Sequence, residues 1–246
     1  MVEHAHRTQV GAAATFHSAE PLVSGRVVTL AESEAHHARV RRIVVGERVR
    51  LVNGAGSLGW GTVVRLARAQ MGVEVEVVED VQPLPALNLI LPIADRDRML
   101  WLAEKATELG VTSWRPVLWR RSRSVAPRGE GVGFQAKVRA RMVAALTQSG
   151  GAWLPALYPD AMLSTAIAAT PPGTRLFLDR LGSSFPWSPL ETPVTIAVGP
   201  EGGVEAEERD ELMAAGFQPT SVGPQLLRFE TAALAALAIA RATLTF

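Results

Sequence analysis

Two glycine-rich turns constrain the fold of this chain more than any other feature. The first, Gly199-Pro200-Glu201-Gly202-Gly203, directly follows the apolar run Val194–Val198. The second, from Val222 to Leu227, follows a short β-type stretch and opens an alanine-rich helix. Each reads as strand, turn and helix, and in α/β sheets such turns lie at the carboxyl ends of strands, where ligands bind. Two in succession predict one ligand pocket.

The composition of the first turn indicates what kind of ligand it takes. Strand and helix capping alone would explain a single glycine turn. A plain connector, however, rarely needs one proline among three glycines, a combination that lets backbone amides approach a ligand closely. The Walker Lys-Ser/Thr pair is missing, and Glu201 would repel a polyphosphate. A neutral or cationic small molecule fits better.

Strands and helices alternate from Leu87 to the C-terminus. Residues 80–86, which include two prolines, are predicted to link this region to the preceding one. A buried strand is expected over Leu87–Pro92. The alternation predicts an α/β domain with a mainly parallel sheet. The predicted helices are Asp97–Leu109, Phe134–Gln148 and Glu205–Ala215, and further strands are predicted over Val111–Trp119, Thr174–Asp179 and Val194–Val198.

The first third of the chain reads as short strands separated by glycine turns, a pattern typical of a small barrel. A short helical stretch, Glu32–Arg41, interrupts them, and residues 1–15 are predicted as a loose tail. Gly54–Gly59 matches the GxGxxG dinucleotide-binding pattern, but a β-branched run follows it instead of a helix, so a hairpin loop is predicted. The predicted strands are Arg26–Leu30, Arg48–Val52, Gly61–Leu66 and Val73–Val78.

The charge of the chain is unevenly distributed. The net charge is only +1, but residues 94–141 carry eleven Lys and Arg against five Asp and Glu. Four arginines lie within Arg120–Arg128, beside Trp119. Because arginine favours bidentate phosphate contacts and stacking on bases, this loop predicts RNA contact, with a solvated charged loop as the alternative.

Residue usage also excludes some classes of site. The chain has no cysteine, and its five histidines all lie within the first 37 residues. Disulfides and thiolate metal sites are therefore excluded, and no metal enzyme is expected. No apolar run approaches the roughly 20 residues that cross a bilayer. A soluble cytoplasmic protein without membrane or metal partners is expected.

The two glycine turns resemble the motifs of one family. Ala197–Gly203 followed by Leu226–Ala232 is similar to the RsmE-type 16S ribosomal RNA uridine-N3 methyltransferases of the SPOUT class, and Glu104–Val111 and His36–Glu47 resemble that family as well. The resemblance implies a knotted (deep trefoil), mainly parallel domain over residues 83–246, a small PUA-like RNA-binding β-barrel over residues 16–82, and a homodimer. It also implies S-adenosyl-L-methionine as the cofactor and, in the small ribosomal subunit, N3 of uracil 1498 as the family's target.

The resemblance, together with the chemistry of methyl transfer and the arginine-rich loop, gives candidate site residues. Arg228 is the candidate that stabilises charge on the uracil carbonyls, and Glu230 either accepts the N3 proton, orients Arg228 or only favours the helix start. Lys105 could also be a solvent-paired residue and His36 part of a solvated basic face. The implied cofactor-binding residues are Leu178, Gly199, Pro200, Glu201, Gly202, Gly203, Val222, Gly223, Leu226 and Leu227, and the implied RNA-binding residues are His36, Arg42, Lys105, Arg120, Arg121 and Arg123.

The chain departs from the family's pattern at several positions. Asp95 and Leu100 stand where the family has a lysine and a glutamate, and Gly151 and Gln225 stand where it has arginines. These departures concern RNA contacts and leave the cofactor pocket intact. The alternatives are a SPOUT enzyme that acts on another RNA and a noncatalytic RNA-binding protein, which would tolerate loss of the glycine turns.

Overall fold

The chain forms two compact units in the computed structural model, which describes residues 14–122, 128–186 and 188–244. The N-terminal unit comprises the chain through Gln82 together with Thr147–Trp153. The C-terminal unit comprises Pro83–Leu146 and the chain from Leu154 onward. The sequence prediction assigned Thr147–Trp153 to the second domain, whereas these residues group with the N-terminal unit. No helix within the described ranges combines the length and apolarity that crossing a membrane requires.

The N-terminal unit is built on a five-stranded sheet with the order β1-β3-β4-β5-β2. All neighbours pair antiparallel except β1 and β3, which are parallel. Along β5, Val73 and Val75 are buried while Glu74 and Glu76 are exposed, the period of two expected of a sheet with one covered face. Its elements are β1 (Thr15–His17), β2 (Val27–Leu30), α1 (Glu32–Val40), β3 (Arg48–Val52), β4 (Ser57–Leu66) and β5 (Met71–Asp80).

The GxGxxG segment Gly54–Gly59 lies in the hairpin between β3 and β4, as predicted. Strand β4 already begins at Ser57, and Val52 pairs with Leu58 across the turn. Gly56 has a φ of +97° and packs under the ring of Trp153, whose Nε1 donates to the carbonyl of Val81 at 2.9 Å. These glycines serve a tight turn and close packing, and no helix follows them.

The C-terminal unit is built on a seven-stranded sheet with the order β12-β10-β11-β6-β7-β8, to which β9 adds beside β7. Every pairing in it is parallel. Its strands are β6 (Leu87–Pro92), β7 (Ser113–Leu118), β8 (Ala156–Leu157), β9 (Ala161–Met162), β10 (Thr174–Ser184), β11 (Val194–Ala197) and β12 (Gln218–Ser221). Its helices are α2 (Arg96–Glu108), α3 (Val132–Ser149), α4 (Leu163–Ala168), α5 (Ala206–Ala214) and α6 (Phe229–Thr243).

Both faces of this sheet are covered, which explains the uninterrupted apolar sequence of its central strand. All six residues of β6 are buried. Leu89 joins a cluster that includes Leu102 of α2 and Leu237 of α6. Ile90 joins a second cluster that includes Leu212 of α5. A parallel sheet with helices on both faces is the expected result of alternating strands and helices.

Most predicted elements are confirmed, with ends that differ by a few residues. Strand β10 continues to Ser184, five residues beyond its predicted end at Asp179. Strands β1, β8 and β9 have two or three residues each, which is too short for a period of two to show in sequence. Thr15 was predicted to lie in the tail, but it is the first residue of β1 and pairs with Arg50 of β3. Residues 1–13 of the predicted tail lie outside the described residues.

Candidate functional site

Three of the predicted ligand-binding segments leave the same edge of the parallel sheet from adjacent strands. Strand β10 lies between β11 and β12. Gly199–Gly203 follows β11 after one residue, and Val222 directly follows β12. Leu178 of β10 pairs with Thr220 of β12, just before the second turn begins. The strand order therefore brings both glycine turns and Leu178 to the carboxyl edge of the sheet, where α/β proteins bind ligands.

The first turn needs its glycines for close packing and for its backbone conformation. A Cβ on Gly199 would lie 2.5 Å from Cγ2 of Val204, and one on Gly202 would lie 2.8 Å from the carbonyl oxygen of Arg121. Gly203 has a φ of +81°, and its N–H donates to the carbonyl of Pro200 at 2.8 Å. Substitution at any of the three would deform the turn.

The second turn, by contrast, presents an open surface. A Cβ on Gly223 would have no atom within 4 Å, and the side chain of Leu226 is 85% exposed. The turn is held at its start, where the Ser221 hydroxyl donates to the carbonyl of Gly223 at 2.9 Å. An uncovered leucine beside an open backbone is a surface on which an apolar ligand group can pack.

A cavity of about 290 Å³ lies at the carboxyl edge beside the first turn. Arg98 of α2 crosses it, since its Nη1 donates to Oε1 of Glu201 at 2.7 Å and its Nε lies 3.8 Å from Oε1 of Glu230. The cavity is thus lined by two arginines and two carboxylates, and Arg98 also approaches Glu230, which is not part of the lining. Its lining residues are Ile93, Ala94, Asp95, Arg98, Arg121, Ser122, Pro200, Glu201 and Gly202.

Glu230 is a nearly buried acid of this region. It lies in the first turn of α6, is only 9% exposed, and its Oε2 is buried without a hydrogen-bond partner among the residues that the structure describes. Arg228, the residue before α6, is exposed and has no ion pair among the described residues. A buried oxygen that lacks a donor is uncommon in native structures, and it marks Glu230 as a candidate functional residue.

Sequence reasoning missed Arg98. It noted the segment Asp95–Leu100 only as a departure from the family's pattern, although strand β6 ends just before it at the same edge as β11. Oδ1 of Asp95 accepts from the backbone N–H groups of Asp97 and Arg98 at 3.1 and 3.0 Å. Asp95 therefore caps α2 in the place of the family's lysine and holds the backbone of Arg98 in position.

The predicted RNA-binding arginines after β7 are tied to the start of α5. Arg120 lies 3.3 Å from Glu207, and Arg121 lies 3.2 Å from Glu205. The buried carboxylate of Glu208 accepts from the backbone N–H of Arg120 at 2.7 Å and anchors the loop. Arg123 lies outside the described residues.

The remaining predicted RNA-binding residues fall on both units. Nζ of Lys105 donates to Glu104 and Glu108 at 2.8 Å each, and these hydrogen bonds raise the pKa of Lys105. In the N-terminal unit, His36 is exposed on α1, and Arg42 is exposed just beyond it with a φ of +58°. Lys105 therefore has the solvent-paired arrangement that was the alternative for it.

Two family models match the chain. A model described as an RNA methyltransferase domain matches residues 82–241. A model described as an RNA methyltransferase PUA domain matches residues 30–68. The two matched segments fall on the C-terminal and N-terminal units.

Curated relatives and solved structures agree with these models. Proteins named ribosomal RNA small subunit methyltransferase E are similar: that of Synechocystis is 28% identical over 86% of this chain and 71% of its own length, and that of Mycobacterium tuberculosis is 29% identical over 87% and 86%. The Neisseria gonorrhoeae enzyme of that name, solved bound to S-adenosyl methionine, has a TM-score of 0.83 at 28% identity and covers 94% of this chain and 98% of its own. A Legionella pneumophila protein, solved with the bound cofactor SAM, has a TM-score of 0.81 at 26% identity, and the match covers 93% of this chain and 96% of that protein's chain.

Proposed function

Because the chain belongs to the RNA methyltransferase family whose model matches residues 82–241, we propose that it methylates N3 of a uridine in the 16S RNA of the small ribosomal subunit. It is an S-adenosylmethionine-dependent RNA methyltransferase of the RsmE family. Its parallel sheet matches the SPOUT structures of that family, and its N-terminal unit is PUA-like. The choice of RNA, base and atom is the proposal, and the knot implied by the resemblance stays a prediction.

We propose that Gly199–Gly203, Val222–Leu227 and Leu178 hold the cofactor. The residues fit it, because Pro200, Glu201 and Gly202 of the first turn line a cavity while Leu226 and Gly223 leave an open apolar surface for an adenine ring. When bound, the cofactor supplies an electrophilic methyl group. The turns bind and orient it with backbone and apolar groups, so that little side-chain charge is needed near its sulfonium.

The observation that carries the choice of N3 is the unpartnered Oε2 of Glu230. Uracil N3 carries a proton that must leave before the nitrogen can attack, and it lies between two carbonyl oxygens. Glu230 accepts this proton at Oε2 in the proposed reaction. The negative charge that develops on the flanking oxygens is stabilised by Arg228.

Arg98 has a different role in this proposal. Its guanidinium is engaged by two carboxylates, Glu201 and Glu230. It therefore orients Glu230 and does not itself touch the reacting atoms. Much of the acceleration then comes from holding the base and the methyl donor in line.

We propose that RNA is bound by His36, Arg42, Lys105, Arg120, Arg121 and Arg123. The side chains of Arg120 and Arg121 are 57% and 53% exposed, and ion pairs of such exposure contribute little to stability. Phosphates can therefore replace Glu205 and Glu207 as their partners at small cost. A homodimer and a cytoplasmic location complete the proposal, and analytical ultracentrifugation tests the first of these.

The deciding experiment is methyl transfer from labelled S-adenosylmethionine to small ribosomal subunits that lack the modification, followed by nucleoside analysis. We expect 3-methyluridine from the native chain and its loss in E230Q. Another methylated nucleoside would contradict the choice of N3. Cofactor binding without transfer to these subunits would point to another RNA, and neither binding nor transfer would favour a noncatalytic RNA-binding protein.

A further inference from the structure

The C-terminal unit has a second cavity, of about 560 Å³, at the opposite edge of its sheet. Its lining includes Asn88 and Ser113, which stand at the amino ends of β6 and β7, and Thr192, which stands just before β11. This edge is remote in the topology from both glycine turns. The full lining is Ala86, Asn88, Thr112, Ser113, Arg115, Ala156, Tyr158, Ala169, Pro171, Thr192 and Pro193.

The sheet face at this cavity is polar, although the same face is apolar farther along the strands. Asn88, Ser113 and Thr195 are buried, whereas Ile90 and Val117, two or four residues later on the same face, join an apolar cluster. The Ser113 hydroxyl donates to Oδ1 of Asn88 at 2.7 Å, and Nδ2 of Asn88 lies 3.5 Å from Oγ1 of Thr195. Parallel strands buried on both faces normally carry only apolar residues. The polar groups here need a reason beyond folding.

Arg115 is the unusual member of this set. It is only 7% exposed, and its Nε is buried and has no hydrogen-bond partner within the described part of the chain. No carboxylate of the described residues forms an ion pair with it. Its guanidinium carbon lies 3.6 Å from the ring centroid of Tyr158, which covers one face of the group. A buried guanidinium without a counter-ion is costly in free energy.

A comparison with Arg241 of the same unit shows what a purely structural arginine looks like. Arg241 is 8% exposed, and its three guanidinium nitrogens donate to the carbonyls of Leu109, Pro85 and Gly110 at 2.7 to 2.9 Å. Arg115 has no such acceptors among the described residues. Arg115 is therefore as buried as a structural arginine, but its N–H donors are unpaired among the described residues, as in an arginine that binds a ligand.

We propose that this cavity binds a small oxyanion, a carboxylate or a phosphate, held by the guanidinium of Arg115. The ligand supplies the missing negative charge and the acceptors, and guanidinium forks suit both anions. The hydroxyl of Thr192 is a further donor beside it, whereas the Ser113 hydroxyl already donates to Asn88. Alanines and prolines complete the wall, so the remainder of the ligand is weakly polar.

The test is calorimetric titration of the full chain with inorganic phosphate and with malonate, at constant ionic strength set by chloride. We expect saturable binding of at least one of the two anions, and which one binds tells phosphate from carboxylate. In R115Q the affinity should fall roughly tenfold or more, because a charge-assisted fork is lost. In R139Q, which neutralises an exposed arginine of α3, the affinity should stay unchanged.

A second variant keeps the test decisive if R115Q folds poorly. Ala169 is exposed at the cavity, so A169W should fill the space without disturbing the core and should weaken anion binding while Arg115 remains. The absence of saturable binding to the native chain, or binding that survives in R115Q, would overturn the proposal. Arg115-dependent binding of a short RNA with no binding of either anion would overturn it too, in favour of an RNA contact. None of these readouts depends on methyl transfer.

Discussion

Nη1 of Arg98 lies 2.7 Å from Oε1 of Glu201, and this contact joins two segments that are far apart in the sequence. The same guanidinium approaches Glu230, with 3.8 Å between Nε and Oε1. The start of α2 thereby contacts both the turn that follows β11 and the start of α6. The arrangement couples a residue of the proposed cofactor loop to the proposed base through one cation.

Replacing Arg98 by methionine should slow methyl transfer with little effect on stability. The pair with Glu201 is about one third exposed on either side, so its loss should change the free energy of unfolding by less than about 1 kcal/mol. We expect kcat to fall roughly 10²-fold, because Glu230 loses its orientation. R98K should recover part of kcat. A loss confined to KM, or equal losses in both variants, would contradict a positioning role.

Replacing Glu230 by glutamine should abolish proton acceptance while keeping the shape of the side chain. We expect kcat to fall roughly 10²- to 10⁴-fold, the usual contribution of a general base. Cofactor affinity, measured by calorimetry, should stay within about twofold, since Glu230 is not among the proposed cofactor residues. Full activity in E230Q would show that the carboxylate serves only the helix start.

Alanine at the glycines of the first turn should weaken cofactor binding. G202A would place a Cβ 2.8 Å from a backbone oxygen, and G199A would place one 2.5 Å from Val204. Because the turn must shift, we expect cofactor affinity to fall at least about tenfold. G133A is the matched control, since a Cβ there meets nothing within 4 Å and lies in α3. It should stabilise the chain by roughly 0.4–1 kcal/mol and leave binding unchanged.

Neutralising Glu207 should strengthen RNA binding. Its carboxylate pairs with Arg120 at 3.3 Å, so E207Q leaves the longer contact of Arg120 with Glu205, at 3.7 Å, to compete with a phosphate. We expect a rise of a few fold in affinity and a steeper salt dependence, whereas R120Q should lower the salt slope by about 1. E211Q removes the same charge from an exposed position of α5 that has no ion pair among the described residues. An equal gain in RNA affinity in E211Q would show that the effect comes from the change in net charge and not from the pair with Arg120.

Glu34 should make the stability of the native chain fall as the pH rises above the carboxyl range. Burial raises its pKa, and the hydrogen bond from the backbone N–H of His17, at 3.2 Å, opposes this shift. A carboxyl whose pKa is higher in the folded state binds its proton more tightly there, so stability is present below the unfolded pKa and is lost as pH rises through the folded pKa.

The variant E34Q removes this titration and can still accept from His17. Its melting temperature should exceed that of the native chain at about pH 7. The two melting temperatures should converge as the pH falls to about 4 and below, because Glu34 of the native chain then becomes protonated in the folded and in the unfolded state. E32Q is the control, because Glu32 also lies in the first turn of α1 but is exposed. A gap between E34Q and the native chain that does not change with pH would refute the assignment.

Local patterns were sufficient for most of the fold. The apolar run of β6 and the alternation of strands with helices predict a parallel sheet, because each depends only on neighbours within a few residues. The GxGxxG segment was correctly assigned to a hairpin from the β-branched run after it. The two-residue strands β8 and β9 were not predicted, since their pairing with β7 depends on tertiary packing and not on a repeating pattern.

The sequence by itself determined the two glycine turns, their place after strands and the family. Glycine is required at these positions by local backbone geometry and close packing, which depend on neighbouring residues. The strand order β12-β10-β11-β6-β7 was decided only in the tertiary structure. That order places β11 beside β6, and so Glu201 beside Arg98. It also leaves Oε2 of Glu230 and Nε of Arg115 buried without partners. Such contacts join side chains that no periodicity relates, because they depend on which strands become neighbours once the sheet has formed.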